Sequence, residues 1–208
     1  VSDFALWKAW DEKDGDIYWE TELGKGRPGW HIECSAMSMK YLGEHFDIHC
    51  GGVDNMFPHH ENEIAQSEAC TGKKFVNYWL HNEYLIVEGR KMSKSLGNFY
   101  TLRDILGKGY SGLAVRYLLL ATHYRQQLNF SLKGLDAASA ALERYNDFLM
   151  NLREYAGGES DGSADAVIDK ALTGFEEALD DDLNISGALG VVFDFIRDVN
   201  RVRTEGKL

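Results

Sequence analysis

No stretch of this chain approaches the roughly 18 uninterrupted apolar residues that a membrane-spanning helix needs. Its apolar runs are short pieces such as Leu118 to Ala121. Residues Val1 to Trp10 lack the basic start and apolar core of a secretory leader and read as the middle of a fold. Cysteine is scarce: Cys34, Cys50 and Cys70 are an odd number with no C-x-x-C spacing, which excludes a disulfide framework and predicts a reduced, cytoplasmic setting. There are two prolines, Pro28 and Pro58, and neither a repeat nor a low-complexity tract. Basic residues are in the minority, 22 against 33 acids for a net charge of −11, which excludes indiscriminate coating of nucleic acid.

What is present suffices for a packed protein, with 44% hydrophobic residues in 208. The charge is unevenly spread. Arg90, Lys91, Lys94, Arg103, Lys108, Arg116 and Arg125 face a single acid, Asp104, between residues 89 and 125, a stripe suited to phosphates, while acids gather from Glu154 to Asp198. A helical period runs from Arg27-Pro28-Gly29 through Trp30, Cys34, Met37 and Tyr41 on one face to a stop at Gly43. Phe46 to Cys50 alternates like a strand and meets Gly51-Gly52; Pro58 then opens a second helix ending near Gly72. Asn77 to His81 and Tyr84 to Val87 continue as strands, giving the grammar of a parallel sheet. After Thr101, a helix N-cap, five helical segments follow, with a Gly- and Ser-rich linker at Ala156 to Ser163. The expectation is an α/β part over residues 1–100, a helical region over 101–155 and a further helical domain beginning at 156–208.

Two groups of residues carry chemistry. His59 and Glu63, four apart on one helix, lie a turn apart on the same face, and Cys34 on the preceding helix adds a thiol. Imidazole, carboxylate and thiolate match the donors zinc accepts. Each residue also has a plain structural reading, Cys34 as a core cysteine and the histidines as cap or surface groups. Neither Cys50 nor Cys70 has a spacing that picks it out as a fourth ligand, and His60 points about 100° away from His59 around a helix. The protease pattern H-E-x-x-H is absent, since His60-Glu61 leads to Ile64. The second group is Lys91-Met92-Ser93-Lys94-Ser95, two ammonium groups on a hydroxyl-rich loop able to reach nucleotide phosphates together.

In combination these residues resemble one family, the cysteinyl-tRNA synthetases among the class I aminoacyl-tRNA synthetases. The matching text is GKGRPGWHIECS (Gly24 to Ser35), FDIHCGGVDNMFPHHENEIAQ (Phe46 to Gln66) and KMSKSLGN (Lys91 to Asn98), with a looser match over Leu179 to Asn200. The resemblance implies the C-terminal half of a Rossmann-type nucleotide-binding fold, followed by a stem-contact region and the start of a DALR-like anticodon-side domain. It implies zinc held by Cys34, His59 and Glu63 and bound to the substrate's thiolate, a bond serine cannot match, where pocket fit alone provides only about 1 to 3 kcal/mol. Trp30 and His49 match positions lining the amino-acid pocket, with core packing as their plain alternative. Gly52 and Asp54 would receive the ribose of ATP, although Asp54 also suits a turn cap. Lys91 and Lys94 would act in catalysis on MgATP, Lys94 touching it directly. Cysteine, ATP and tRNA(Cys) are the implied partners of a cytoplasmic monomer.

The match has a gap: the chain holds no H-x-G-H element and no cysteine ahead of Cys34 to complete the zinc shell. It therefore reads as a piece lacking the first half of the catalytic fold. Such a piece is expected not to make cysteinyl-adenylate alone, and to hold zinc through three protein ligands and water. Two rivals remain: the cysteine ligase of mycothiol synthesis, which shares the zinc residues and lysine loop, and a non-catalytic, zinc-stabilised RNA-binding module.

Overall fold

In a computed structural model, residues 4–157 and 161–206 are described. The chain forms two compact units, one ending at Glu83 and the other starting at Tyr84. The expected linker at 156–163 has its middle, 158–160, outside the described residues.

The first unit begins with a three-stranded antiparallel sheet, order β1-β3-β2, made of β1 (Trp7–Ala9), β2 (Trp19–Thr21) and β3 (Gly24–Pro28). Pro28 does not begin a helix. It closes β3 opposite Trp7, and Gly29, in extended conformation, is the N-cap of α1 (Trp30–Leu42), which stops at Gly43 with φ 95°. The stripe Trp30, Met37, Tyr41 is also not the core face, for all three side chains are more than half exposed. The helix instead turns its small polar face inward: Ser35 is fully buried and donates to Gln66 Oε1 at 2.8 Å. Among the described residues of this unit the stripe stays largely exposed.

β4 (Phe46–Gly52) pairs in parallel with β5 (Val76–Asn82), from Phe46 opposite Val76 to Gly52 opposite Asn82. Their crossover contains the single turn α2 (Val53–Asn55), a wide turn over Met56–His60, and α3 (Glu61–Thr71). Pro58 sits inside the wide turn, and the residue before it is pushed to extended geometry (Phe57 φ −138°, ψ 131°), so helix α3 starts three residues later than expected. α3 packs on α1 and ends at Gly72 in the left-handed region.

The second unit builds a small sheet in the order β7-β6-β8, with β6 (Ile86–Val87) antiparallel to β7 (Arg90–Lys91) and parallel to β8 (Asn129–Phe130). Glu88 and Gly89, both at positive φ, form the two-residue turn that sends the chain straight back, which is why β6 is so short and its neighbour antiparallel. The described strands thus form three small sheets, not one parallel sheet. Helices α4 (Leu102–Gly107), α5 (Gly112–Leu120), α6 (Leu132–Arg153), α7 (Ser163–Asp180) and α8 (Ile185–Thr204) follow. Thr101 and Asp104 form a reciprocal capping box on α4, and Ser111, Ser131 and Asn184 cap α5, α6 and α8. Val87, Ile105, Phe130 and Leu135 make one apolar cluster, and Phe148, Ile196 and Val199 another.

Candidate functional site

In the first unit, α1 supplies Trp30, His31 and Cys34, β4 supplies His49, the wide turn supplies His59 and His60, α3 supplies Glu63, and β5 supplies Trp79 and His81. Glu63 is fully buried, and His59 and His60 are each 4% exposed. One ligand atom from each of Cys34, His59 and Glu63 lies within 4.8 Å of the other two, so α1, the wide turn and α3 bring the sequence-predicted trio together.

The details distinguish these atoms from an ordinary ion pair. His59 Nε2 stands 2.6 Å from Glu63 Oε1, yet burial pulls the His59 pKa below its usual value, against the opposing pull of Glu63, so the ring is neutral at pH 7. Oε1 is buried without a hydrogen-bond partner. A neutral imidazole nitrogen and an orphaned carboxylate oxygen side by side, with a thiol nearby, are suited to share a third atom, and N, O and S donors are a zinc set. Burial, then Glu63 and Glu33, push the Cys34 thiol up. A divalent cation among these groups would supply the opposite field and favour the thiolate.

A second set, His49, His60 and Glu63, also converges within 4.8 Å. Its atoms are already engaged. His49 Nε2 donates to Glu63 Oε2 at 2.6 Å, and His60 Nδ1 is 2.7 Å from His81 Nε2. Burial is the main cause that lowers the His60 pKa to about 4, so it too is neutral. The two carboxylate oxygens thus divide between the sets, Oε2 facing His49 and Oε1 facing His59 Nε2. Gly51 has a reason inside this network: a Cβ there would meet the His60 ring at 2.6 Å.

Trp30 and His49 both reach the cluster. The Trp30 ring lies 4.0 Å, centroid to centroid, from that of His59, and His49 is seated between Phe46, Trp79 and His60. Gly52 caps α2, and the Asp54 carboxylate, on an exposed residue, lies over its α-carbon, where a Cβ would come within 2.3 Å of Oδ1. Cys50 and Cys70 are exposed and join neither set. Sequence reasoning did not select His31, His60 or His81, whose partners are 21 or more residues away.

Lys91 and Lys94 belong to the second unit. Lys94 opens a single turn (Lys94–Leu96) capped by Ser93, whose hydroxyl accepts from the Ser95 amide. Asn98 closes the loop: its Oδ1 accepts from Ser93 N at 2.9 Å and its Nδ2 donates to Lys91 O at 3.1 Å. Both lysines are exposed, and among the described residues neither pairs with a carboxylate. All seven residues of the basic stripe are exposed. Arg125, however, is committed within the chain: its guanidinium grips Asp182 at 2.5 and 3.3 Å.

Parallel strands with a glycine turn and a lysine loop followed by helices define a class I synthetase fold. Residues 1–140 match the family described as tRNA synthetases class I (C) catalytic domain, and 174–208 match the DALR domain. The chain belongs to the class I (C) tRNA synthetase family. It is 61% identical over 201 residues to a cysteine–tRNA ligase of Protochlamydia amoebophila, covering 96% of this chain and 42% of that protein. It is 57% identical over 203 residues to the cysteine–tRNA ligase of Brachyspira hyodysenteriae, covering 96% and 43%. The chain thus spans about two-fifths of the length of these relatives. Among solved structures it superposes on the LeuRS–tRNA–LeuAMS complex of Agrobacterium radiobacter K84 with a TM-score of 0.66 at 16% identity, covering 97% of this chain and 32% of the other. It also superposes on Mycobacterium tuberculosis methionyl-tRNA synthetase with a TM-score of 0.59 at 21% identity, covering 76% and 34%. No described helix is long and apolar enough to cross a membrane.

Proposed function

We propose that this chain works in the ATP-dependent activation of cysteine and its transfer to tRNA(Cys), with zinc held by Cys34, His59 and Glu63 selecting the amino acid. The observation that carries the reading is the orphaned Glu63 Oε1, buried beside His59 Nε2 and the Cys34 thiol. Bound there, zinc supplies a soft Lewis acid that prefers a thiolate to a hydroxyl. Trp30 packs against the His59 ring, and exposure of more than half its surface leaves it open to a small substrate. Gly52 and Asp54, at the carboxyl end of β4, are in the position where such folds receive a nucleotide.

Lys91 and Lys94 serve catalysis by neutralising the charge that builds on MgATP phosphates as the cysteine carboxylate attacks and pyrophosphate leaves. That neither pairs with a carboxylate among the described residues supports this role, and Asn98 holds the loop that presents them. Residues 101–155 act as the stem-contact region and 156–208 as the start of the anticodon-side domain, an assignment supported by the DALR match over 174–208. The setting is cytoplasmic and the protein a monomer.

The test is cysteine-dependent exchange between ATP and pyrophosphate, followed by charging of tRNA(Cys), in a longer polypeptide that carries this sequence together with an H-x-G-H element; the 208 residues alone are expected to give no exchange. Exchange with cysteine and not serine is expected, and Lys94→Ala should lower it by about 100- to 1,000-fold, as for loss of one charge-stabilising donor. Unchanged exchange in Lys94→Ala, or amide formation with glucosaminyl-inositol in place of tRNA charging, would overturn the reading.

A further inference from the structure

Behind the proposed zinc ligands stand two histidines to which sequence reasoning gave no part in holding an ion. His31 Nδ1 lies 2.7 Å from His59 Nδ1, and His49 Nε2 lies 2.6 Å from Glu63 Oε2. Each contacts its ligand through the atom turned away from the shared point, where His59 Nε2 and Glu63 Oε1 meet. We propose that His31 and His49 are positioning residues for the metal, His31 fixing the imidazole of His59 and His49 the carboxylate of Glu63. The proposal rests on the reading of Cys34, His59 and Glu63 as ligands.

The two contacts do different work. Only one proton can lie between two ring nitrogens 2.7 Å apart, so the tautomers of His31 and His59 are linked. If His59 offers Nε2 as a lone pair, its proton sits on Nδ1 and is donated to His31 Nδ1, which leaves the His31 proton on Nε2. Trp30, its ring centroid 4.0 Å away and tilted by 32°, steadies the His59 ring but cannot select its tautomer. Without an acceptor at residue 31, the buried Nδ1–H is stranded and the competing tautomer, protonated on Nε2, blocks the metal.

At Glu63 the problem is a choice of oxygen. The Nε2–H of His49 occupies Oε2 and leaves Oε1 as the single free donor, so the carboxylate is set to bind through one oxygen. The His49 ring is itself seated by Trp79 at 4.8 Å and by Phe46 at 5.8 Å, so its direction is fixed by packing. This adds a role through Glu63 to the place in the amino-acid pocket that the resemblance implies for His49. Outer partners of this kind are worth about 10- to 100-fold in metal affinity.

The experiment measures Zn2+ affinity by competition with a chromophoric chelator, in the polypeptide carrying this sequence, for His31→Ala, His49→Ala and two isosteric variants. Asn at residue 31 can place its amide oxygen where Nδ1 accepts, and Gln at residue 49 can place its amide N–H where Nε2 donates. The alanine variants should bind Zn2+ about 10- to 100-fold more weakly, and His31→Asn and His49→Gln should recover most of that loss. With Co2+ in place of Zn2+, the thiolate-to-metal charge-transfer band should persist in His31→Ala, because Cys34 is untouched. Unaltered affinity in both alanine variants, or isosteric variants as weak as the alanine ones, overturns the proposal. Unaltered affinity in Cys34→Ser would instead overturn the ligand reading beneath it.

Discussion

The two units of this chain bury opposite kinds of side chain. Up to Glu83 the buried residues are Ser35, His59, His60, Glu63, Gln66 and Ser67, against only Phe75 and Val76 among apolar ones. From Tyr84 on, every buried side chain in the described residues is apolar, from Val87 and Leu135 to Val202. Apolar burial is non-directional and stabilises in proportion to area, whereas a buried polar group costs free energy unless each of its atoms finds a partner. The second unit is therefore held by volume and the first by geometry. A region whose interior is spent on hydrogen-bonded imidazoles, amides and a carboxylate gains little stability from them and gains fixed directions, which a metal centre requires.

The strongest way to break that contrast is to remove volume from the second unit. Leu135 is fully buried among Val87, Ile105 and Phe130, so Leu135→Ala should cost about 2 to 5 kcal/mol of unfolding free energy, read from the denaturant midpoint. If the units are built on separate principles, Zn2+ affinity of the still-folded variant stays that of the parent. A matching loss of metal affinity would show that the apolar core, too, sets the site.

A smaller effect should appear when one polar partner is removed from the first unit. Ser35→Ala leaves Gln66 Oε1 buried without its donor, a loss of about 1 to 3 kcal/mol. Replacing both groups, as in Ser35→Ala with Gln66→Leu, should restore most of that stability, because a pair of apolar groups has no unmet hydrogen bond. A double variant that remains as unstable as the single one, measured by the same denaturant titration, would mean that the polar face of α1 is needed for packing and not only for direction.

The same division governs what the sequence could reveal. His59 and Glu63 were legible because the wide turn runs directly into α3, so that a spacing of four still brings them together although His59 precedes the helix, and Thr101 with Asp104 because a capping box is local. Cys34 was legible as a third donor from its place on the preceding helix and its thiol, and the family resemblance then assigned all three to one ion. His31 with His59, His49 with Glu63 and His60 with His81 lie 28, 14 and 21 residues apart, joined only when β4, β5, α1 and α3 pack. The first sheet was hidden for another reason: its strands WKA, WET and GKGRP are too short for an alternating pattern to register. The helix α1 misled because its apolar stripe is the face left open, while the buried face carries Ser35. Arg125 counted toward a basic stripe on sequence, but its partner Asp182 lies 57 residues on.

The smallest expected effect concerns that pair, where the second unit does use polar geometry. Asp182 and Leu183 both sit at positive φ, 52° and 57°, in the turn between α7 and α8. Arg125 and the Tyr124 hydroxyl bind the Asp182 carboxylate, His123 Nε2 donates to its carbonyl at 2.9 Å, and Ser186 donates to Ala121 O at 2.6 Å. Arg125 first, then Tyr124, hold the Asp182 carboxyl below its ordinary value of 3.8. A carboxyl with a lowered folded-state pKa contributes stability that is present above 3.8 and is lost as pH falls through the folded value. Asp182→Asn tolerates the same backbone and keeps an acceptor oxygen but drops the charge. Its stability should trail the parent at neutral pH and low salt, approach it as salt is raised, and converge with it below pH 3.8. A difference between the two that is the same at every pH and salt concentration would assign the turn to shape alone and return Arg125 to the pool of free cations on this face.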